Sequence, residues 1–308
     1  MSYAPIAVFA YRRVDHLQRL LQSLEVCAEF STTDVIIFVD GPKGEADYAE
    51  VAQVREFASS CKLPNVTIKI SNTNKGLKRS ICEGVTFVCS QYGRVIVMED
   101  DLIASPSLLR YFNSALDRYK SDERVFSISG YIYDCPALRS INRALVLPIT
   151  NSWGWATWQR AWSGFDPEEL IDNETIKSPT FRNRFDINGF YPLASLLELS
   201  IERSVDSWFI HWYYYIFRCG GVTIYPPRRY VENHGMREGA THGSILNPFH
   251  LFVREQPEIL DKDIQLPPTA VIDYWAMDVL KRCREVTVHR WISRAGRWKR
   301  KLLAQKRS

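Results

Sequence analysis

Alternating strand and helix periods across the first 130 residues predict an α/β fold, Rossmann-like, with a mostly parallel sheet covered by helices on both faces. Three observations carry that expectation. Short, uniformly apolar runs recur, as strands buried on both faces require. Between them lie stretches whose leucines and valines fall at helical spacing. At 308 residues and 46% hydrophobic, the chain can also build a large core, as one big domain or two small ones.

The elements follow in order. Ile6-Ala-Val-Phe-Ala-Tyr11 reads as a buried strand, and Leu17, Leu20, Leu21 and Leu24 mark the helix after it. Val35-Ile-Ile-Phe-Val-Asp40 is a second strand, closed by the turn dipeptide Gly41-Pro42. A polar helix over 47–60 leads to a third strand, Val66-Thr-Ile-Lys-Ile70, and a turn over 72–76. Ile81, Val85 and Val88 stripe a helix over 77–91. The next strand, Arg94-Val-Ile-Val-Met, runs into Glu99-Asp100-Asp101. A helix over 107–119 and a strand over 125–130 continue the sheet. The second half is aromatic-rich and irregular. It holds Trp153, Trp155 and Trp158, a dense cluster from Asp206 to Tyr215 that reads as helical, a short strand over 222–225, and a loop over 232–243 with His234 and His242.

The acidic triple is the most informative motif. Three adjacent carboxylates repel one another and need a compensating cation. Hard Mn²⁺ or Mg²⁺ prefers such oxygen ligands and carries diphosphates readily. In open parallel sheets, ligands bind beyond the carboxyl ends of the strands. Tyr11, Arg12, Arg13, Asp40, the 72–79 turn and the acidic triple all fall at that edge. A solvated acidic turn is the bland alternative, disfavoured by the preceding strand and the following Ser105-Pro106 helix start.

Charge is unevenly placed. Residues 281–308 carry +10, so residues 1–280 carry −6 of the net +4. Val288, Trp291, Ala295, Trp298 and Leu302 form one apolar stripe on a helix, with Arg290, Arg294, Arg297 and Lys301 beside it. That pattern fits an anionic membrane surface, or a helix docked on the rest of the protein. A nucleic-acid partner is not expected, since the body is acidic and no such motif is present. Seven scattered cysteines without a C-x-x-C pair argue against a disulfide framework and a structural zinc site, and suit a reducing cytosol. Neither a signal peptide nor a transmembrane helix is expected.

Together these residues resemble a GT-A glycosyltransferase. The chain looks most like the inverting N-acetylglucosaminyltransferase that initiates complex N-glycans, and bacterial polysaccharide-forming relatives. The likeness rests on Ala10-Tyr11-Arg12-Arg13, Phe38-Val-Asp40-Gly-Pro, Asn74-Lys-Gly76 and, above all, Met98-Glu99-Asp100-Asp101-Leu-Ile-Ala-Ser-Pro106. Gly154-Trp155, Val205-Asp206-Ser-Trp208 and His242-Gly243 follow in the family's order, so the likeness covers roughly residues 4–245. Against that family, no membrane-anchor stem is expected from this sequence, and the stretch between Trp158 and Asp206 is longer.

The resemblance implies a nucleotide-sugar donor, a UDP-sugar favoured, and a glycan or lipid-linked glycan acceptor in surface polysaccharide assembly. It implies a donor-binding half over 1–130, an acceptor half over 131–265 and a basic C-terminal segment over 266–308. Asp101 would ligate the metal, with His234 or His242 as a further candidate. Asp100 would bind sugar or ribose hydroxyls, and Glu99 would support the pair. Tyr11, Arg12, Arg13, Asp40, Lys75 and Lys78 are the other donor-site candidates. For Asp40, an Asx turn before Gly41 is an equal alternative. Asp206 takes the place of the general base, its pKa expected to rise beside aromatic rings; capping of the following helix is the structural alternative. Gly154, Trp155 and Trp208 would face the acceptor. The enzyme would be cytoplasmic, peripheral on the inner face of the membrane. Two rivals stand. A sugar-1-phosphate nucleotidyltransferase would need a glycine-rich loop after the first strand, where Tyr11-Arg12-Arg13-Val-Asp15 has no glycine. A non-catalytic carbohydrate-binding protein would need neither Asp101 nor Asp206.

Overall fold

A computed structural model describes residues 2–235 and 264–283. Four parallel strands open the sheet: β1 (Ile6–Ala10), β2 (Val35–Val39), β3 (Val66–Ile70) and β4 (Arg94–Glu99). Their connecting helices are α1 (Val14–Glu25), α2 (Tyr48–Ser60) and α3 (Leu77–Tyr92). After β4 come β5 (Leu102–Ala104), α4 (Leu108–Arg118), β6 (Val125–Ser129), β7 (Leu145–Leu147) and β8 (Trp155–Trp158). Short helices α5 (Gln159–Trp162), α6 (Asn173–Lys177), α7 (Pro179–Phe185) and α8 (Leu193–Ile201) lead to α9 (Trp208–Arg218), β9 (Val222–Tyr225) and β10 (Val231–Asn233). A further helix covers 274–283.

The eight-stranded sheet runs β3-β2-β1-β4-β8-β6-β9-β7, and β5 and β10 form a separate antiparallel ribbon. Strand β8 lies antiparallel between β4 and β6, so the sheet changes direction beside β4. This is the α/β, GT-A-like arrangement expected from the sequence, with helices on both faces.

Side-chain alternation explains those faces. Ile6, Val8 and Ala10 of β1 pack with Leu17, Leu20 and Leu24 of α1, while Ala7 and Phe9 pack with Ile81 and Val85 of α3. All five β1 residues are therefore buried, which is why the run carries no polar side chain. A second core gathers the α7, α8 and α9 faces with β7. The 159–201 stretch, which shows no sustained period, folds as the short helices α5 to α8.

Two expectations need correction. Cys135 and Cys283 form a disulfide, tying the 131–145 connection to the 274–283 helix. A pair separated by 148 residues leaves no local spacing signal. Because disulfides persist mainly in oxidising compartments, the cysteine argument for a reducing cytosol loses its basis. The amphipathic C-terminal stripe over 288–302 and His242 lie outside the described residues. Among the described residues, no helix is long and apolar enough to cross a membrane.

Candidate functional site

The site forms where the parallel half of the sheet ends. Buried β4 delivers Glu99, Asp100 and Asp101 to its carboxyl edge, beside the end of β1. Arg13, just past β1, places one guanidinium nitrogen 2.5 Å from Asp100 Oδ1 and 3.1 Å from Asp101 Oδ2. The Tyr11 amide also donates to Asp100 Oδ2, at 3.4 Å.

One cation against three acids does not neutralise the cluster. Burial is the main cause that pushes the Asp100 carboxyl up to about 7, with Asp101 adding to it and Arg13 opposing. The Glu99 carboxyl is also raised, first by burial and then by its two acidic neighbours. Carboxyls with raised folded pKa values stabilise the fold fully below their unfolded pKa and lose that contribution as pH climbs through the folded value. Stability should therefore fall by several kcal/mol, on the order of 5, between pH 4 and pH 7.5, and Glu99→Gln should flatten the slope. Urea unfolding at three pH values in that range measures both, and an unchanged slope in the variant would exclude Glu99 as a source.

The β5–β10 ribbon closes the other side. Its register sets Asn233 opposite Leu102, and the His234 amide donates to the Asp101 carbonyl at 2.8 Å. The His234 ring lies 3.0 Å, Nε2 to Oε2, from Glu232, a buried acid that sequence reasoning passed over. A side chain at Gly235 would collide with the Asp101 carboxylate. Glycine there leaves the backbone and the acid in close approach.

The residues suit a divalent cation. Asp101 Oδ1 is buried and has no hydrogen-bond partner, an orphaned anionic oxygen that a cation would satisfy. Among the described residues no cluster of three or more His, Cys, Asp or Glu converges as a closed metal cage. Mg²⁺-type sites built from one or two carboxylates plus substrate phosphates do not need one. Asp101 would hold the ion, with Asp100 and His234 nearest along the chain and ribbon.

The other donor-site candidates separate into two groups. Tyr11 and Arg12 both bond Asp47, the hydroxyl at 2.6 Å and the guanidinium at 3.1 Å, which fixes the loop after β1 against the start of α2. Lys75 and Lys78 reach the α3 edge of the site but pair with Glu83 at 2.6 Å and Glu168 at 2.7 Å. Asp40 is a correction. Its buried carboxylate accepts from the amides of Gly41, Lys75 and Gly76 at 2.8, 2.9 and 3.0 Å, and from Asn74 Nδ2 at 3.2 Å. With those donors in place, it organises the 74–76 turn rather than reading a base. The approach of the Thr73 backbone to Gly41 excludes any larger residue there and accounts for Asp40-Gly41.

Asp206 lies across from that turn, its Oδ2 3.8 Å from where a side chain on Gly76 would begin. Gly76 has φ +76° and is the N-cap of α3, so the carboxylate faces a helix N-terminus. It is solvent-exposed, which corrects the expectation that aromatic neighbours desolvate it. The capping alternative is not seen either. Ser207 occupies the N-cap of α9, and no side chain caps that helix.

Gly154, Trp155 and Trp208 are also corrected. Trp155 and Trp208 are 1% and 3% exposed and stack at 5.3 Å between ring centroids. Trp162 and Trp212 complete the cluster at 5.7 and 5.9 Å from Trp155. Gly154, at φ +61°, packs against Val231 and Met98, where a Cβ would clash. Docking of α9 on the β8 face buries these rings, so they form the core beneath the site instead of an acceptor surface. Trp155→Ala should accordingly cost about 3–5 kcal/mol in urea unfolding, the range for a buried aromatic. A change below about 1 kcal/mol, normal for surface positions, would contradict this burial.

Comparisons with known proteins add fold likeness alone. No family model matches the chain, and no curated protein does. Among solved structures, the mannosyltransferase PcManGT from Pyrobaculum calidifontis, in complex with GDP-Man and Mn²⁺, is 12% identical over 64% of this chain and 65% of its own, at a TM-score of 0.39. GalNAc-T7 with UDP, GalNAc and Mn²⁺ is 10% identical over 73% of this chain and 43% of its own, at 0.42. TarS of S. aureus is 13% identical over 63% and 33%, at 0.32. The matched stretch thus spans less than two thirds of each of these proteins.

Proposed function

We propose that this chain is a metal-dependent glycosyltransferase that moves a sugar from a nucleotide-sugar donor, a UDP-sugar favoured, to a glycan or lipid-linked acceptor with inversion. The observation that carries the reading is the Asp100-Asp101 pair. It is held at the end of a buried strand, half-neutralised by Arg13, with Asp101 Oδ1 buried and unpartnered. When bound, Mn²⁺ or Mg²⁺ would supply charge neutralisation for the donor's diphosphate and the leaving group.

The remaining work falls to the chain. Asp101, kept in place by the ribbon at His234 and Gly235, would hold the ion. Arg13 balances the acids and offers a planar cation to phosphate oxygens. Asp40 keeps the 74–76 turn in shape, and Tyr11 and Arg12 fix the opposing loop through Asp47. Inverting transfer is a single in-line displacement, which requires one general base and no enzyme nucleophile. Asp206, exposed and free to accept a proton from an acceptor hydroxyl, is that base. Donor recognition belongs to 1–130 and acceptor recognition to 131–265. The basic stretch over 288–302 would meet an anionic bilayer surface, where each Lys or Arg contributes about 1 kcal/mol. Surface-polysaccharide assembly is the matching process. A peripheral position on the membrane belongs to this reading, and the Cys135–Cys283 disulfide favours an oxidising compartment over a reducing cytosol for that face.

The test is incubation with a panel of nucleotide sugars and glycan acceptors, with Mn²⁺. Release of nucleoside diphosphate together with a product of inverted anomeric configuration, read by NMR, is expected. Sugar binding without turnover across the panel would favour a carbohydrate-binding protein, and release of pyrophosphate from a nucleoside triphosphate a nucleotidyltransferase.

A further inference from the structure

A cavity of about 220 Å³ opens between α8, α9 and the 132–153 segment. It is lined by the rings of Tyr133, Trp153, Tyr191 and Phe209, with Leu196 of α8 on one wall. The lining is mainly apolar, and Thr150, whose buried Oγ1 has no partner, is among its few polar groups. Two of its walls are continuous in the chain with elements of the proposed site. Phe209 stands in the first turn of α9, immediately after Asp206-Ser207-Trp208. Trp153 precedes Gly154, which packs against Met98 beside Glu99 and against Val231 of β10.

We infer that this cavity receives an apolar aglycone carried by the acceptor, the group next to the sugar whose hydroxyl is glycosylated. The inference rests on the transferase reading above and names its acceptor class. Three features select the ligand. A sugar ring buried here would leave most of its hydroxyls without partners, at the cost of an unsatisfied polar group each. Aromatic walls instead favour a planar or branched hydrocarbon, through edge and face contacts. The volume lies below the roughly 300–1,000 Å³ of drug-sized pockets, so it holds one ring or a short branched chain, not a long lipid tail. Anchoring the aglycone between Trp153 and Phe209 would set the attached sugar toward Asp206.

The test is direct binding to the full chain without nucleotide, so its outcome does not depend on whether the protein transfers sugar. Methyl and 4-nitrophenyl β-glycosides of glucose, galactose and N-acetylglucosamine are titrated by calorimetry. The aryl glycosides should bind about tenfold or more tightly than their methyl partners, the scale for burying several carbons. Leu196→Trp, which fills the cavity from its half-exposed wall, should remove that advantage. Leu196→Phe, a smaller filling, serves if the tryptophan variant melts early. Equal binding of aryl and methyl glycosides overturns the ligand class, and an advantage that survives in a folded, filled variant overturns the location.

Discussion

Asp206→Asn is expected to lower sugar transfer by about 10² or more while leaving donor affinity nearly unchanged, the scale for losing a general base. The structure makes this substitution a clean one. Among the described residues the Asp206 side chain makes no hydrogen bond or ion pair, and the N-cap position of α9 is held by Ser207, not Asp206. Removing its charge should therefore change stability by no more than about 1 kcal/mol, the range for an exposed carboxylate facing a helix N-terminus. The prediction separates two roles by two readouts. A fall in kcat with an unchanged KM for the donor and an unchanged melting temperature identifies a group acting in the transition state. Near-normal turnover would remove Asp206 from the chemistry, and a raised donor KM would make it a binding residue of the α3 turn.

The second large effect is expected at Asp101. Asp101→Asn should keep the fold but lose metal-dependent donor binding. Asparagine keeps the shape that Gly235 and the His234 amide accommodate, and removes the charge that attracts the ion. It also relieves like-charge repulsion with Asp100 and Glu99, so the variant should be at least as stable as the parent near pH 7.5. A gain in stability with a loss of binding is the signature of a site kept for function at a cost to the fold. Loss of both would mean that the acid holds structure, chiefly through Arg13.

The parallel half of the fold was legible because each of its strands is buried on both sides and each helix is buried on one. Ile6–Ala10 and Leu17–Leu24 can be read without knowing their partners. The acidic triple was legible for a related reason, since it ends such a strand. What was not legible depends on contacts from far along the chain. Asp40 gets its ligands from Asn74, Lys75 and Gly76, so whether its carboxylate is free cannot be seen at Asp40-Gly41-Pro42. Trp155 looks like a sugar platform until α9 lands on it, more than fifty residues later. Glu232 carries no local signal either. Its importance comes from β10 pairing with β5, which brings His234 against Asp101.

Calorimetric titration of UDP-sugars into the protein, with and without Mn²⁺, tests the central claim most directly. If the acids at the end of β4 are a metal–diphosphate site, wild-type protein binds donor at least about tenfold more tightly with the ion, and Asp101→Asn shows no difference between the two conditions. Binding that is equally tight without metal, or a metal effect that persists in Asp101→Asn, would contradict it.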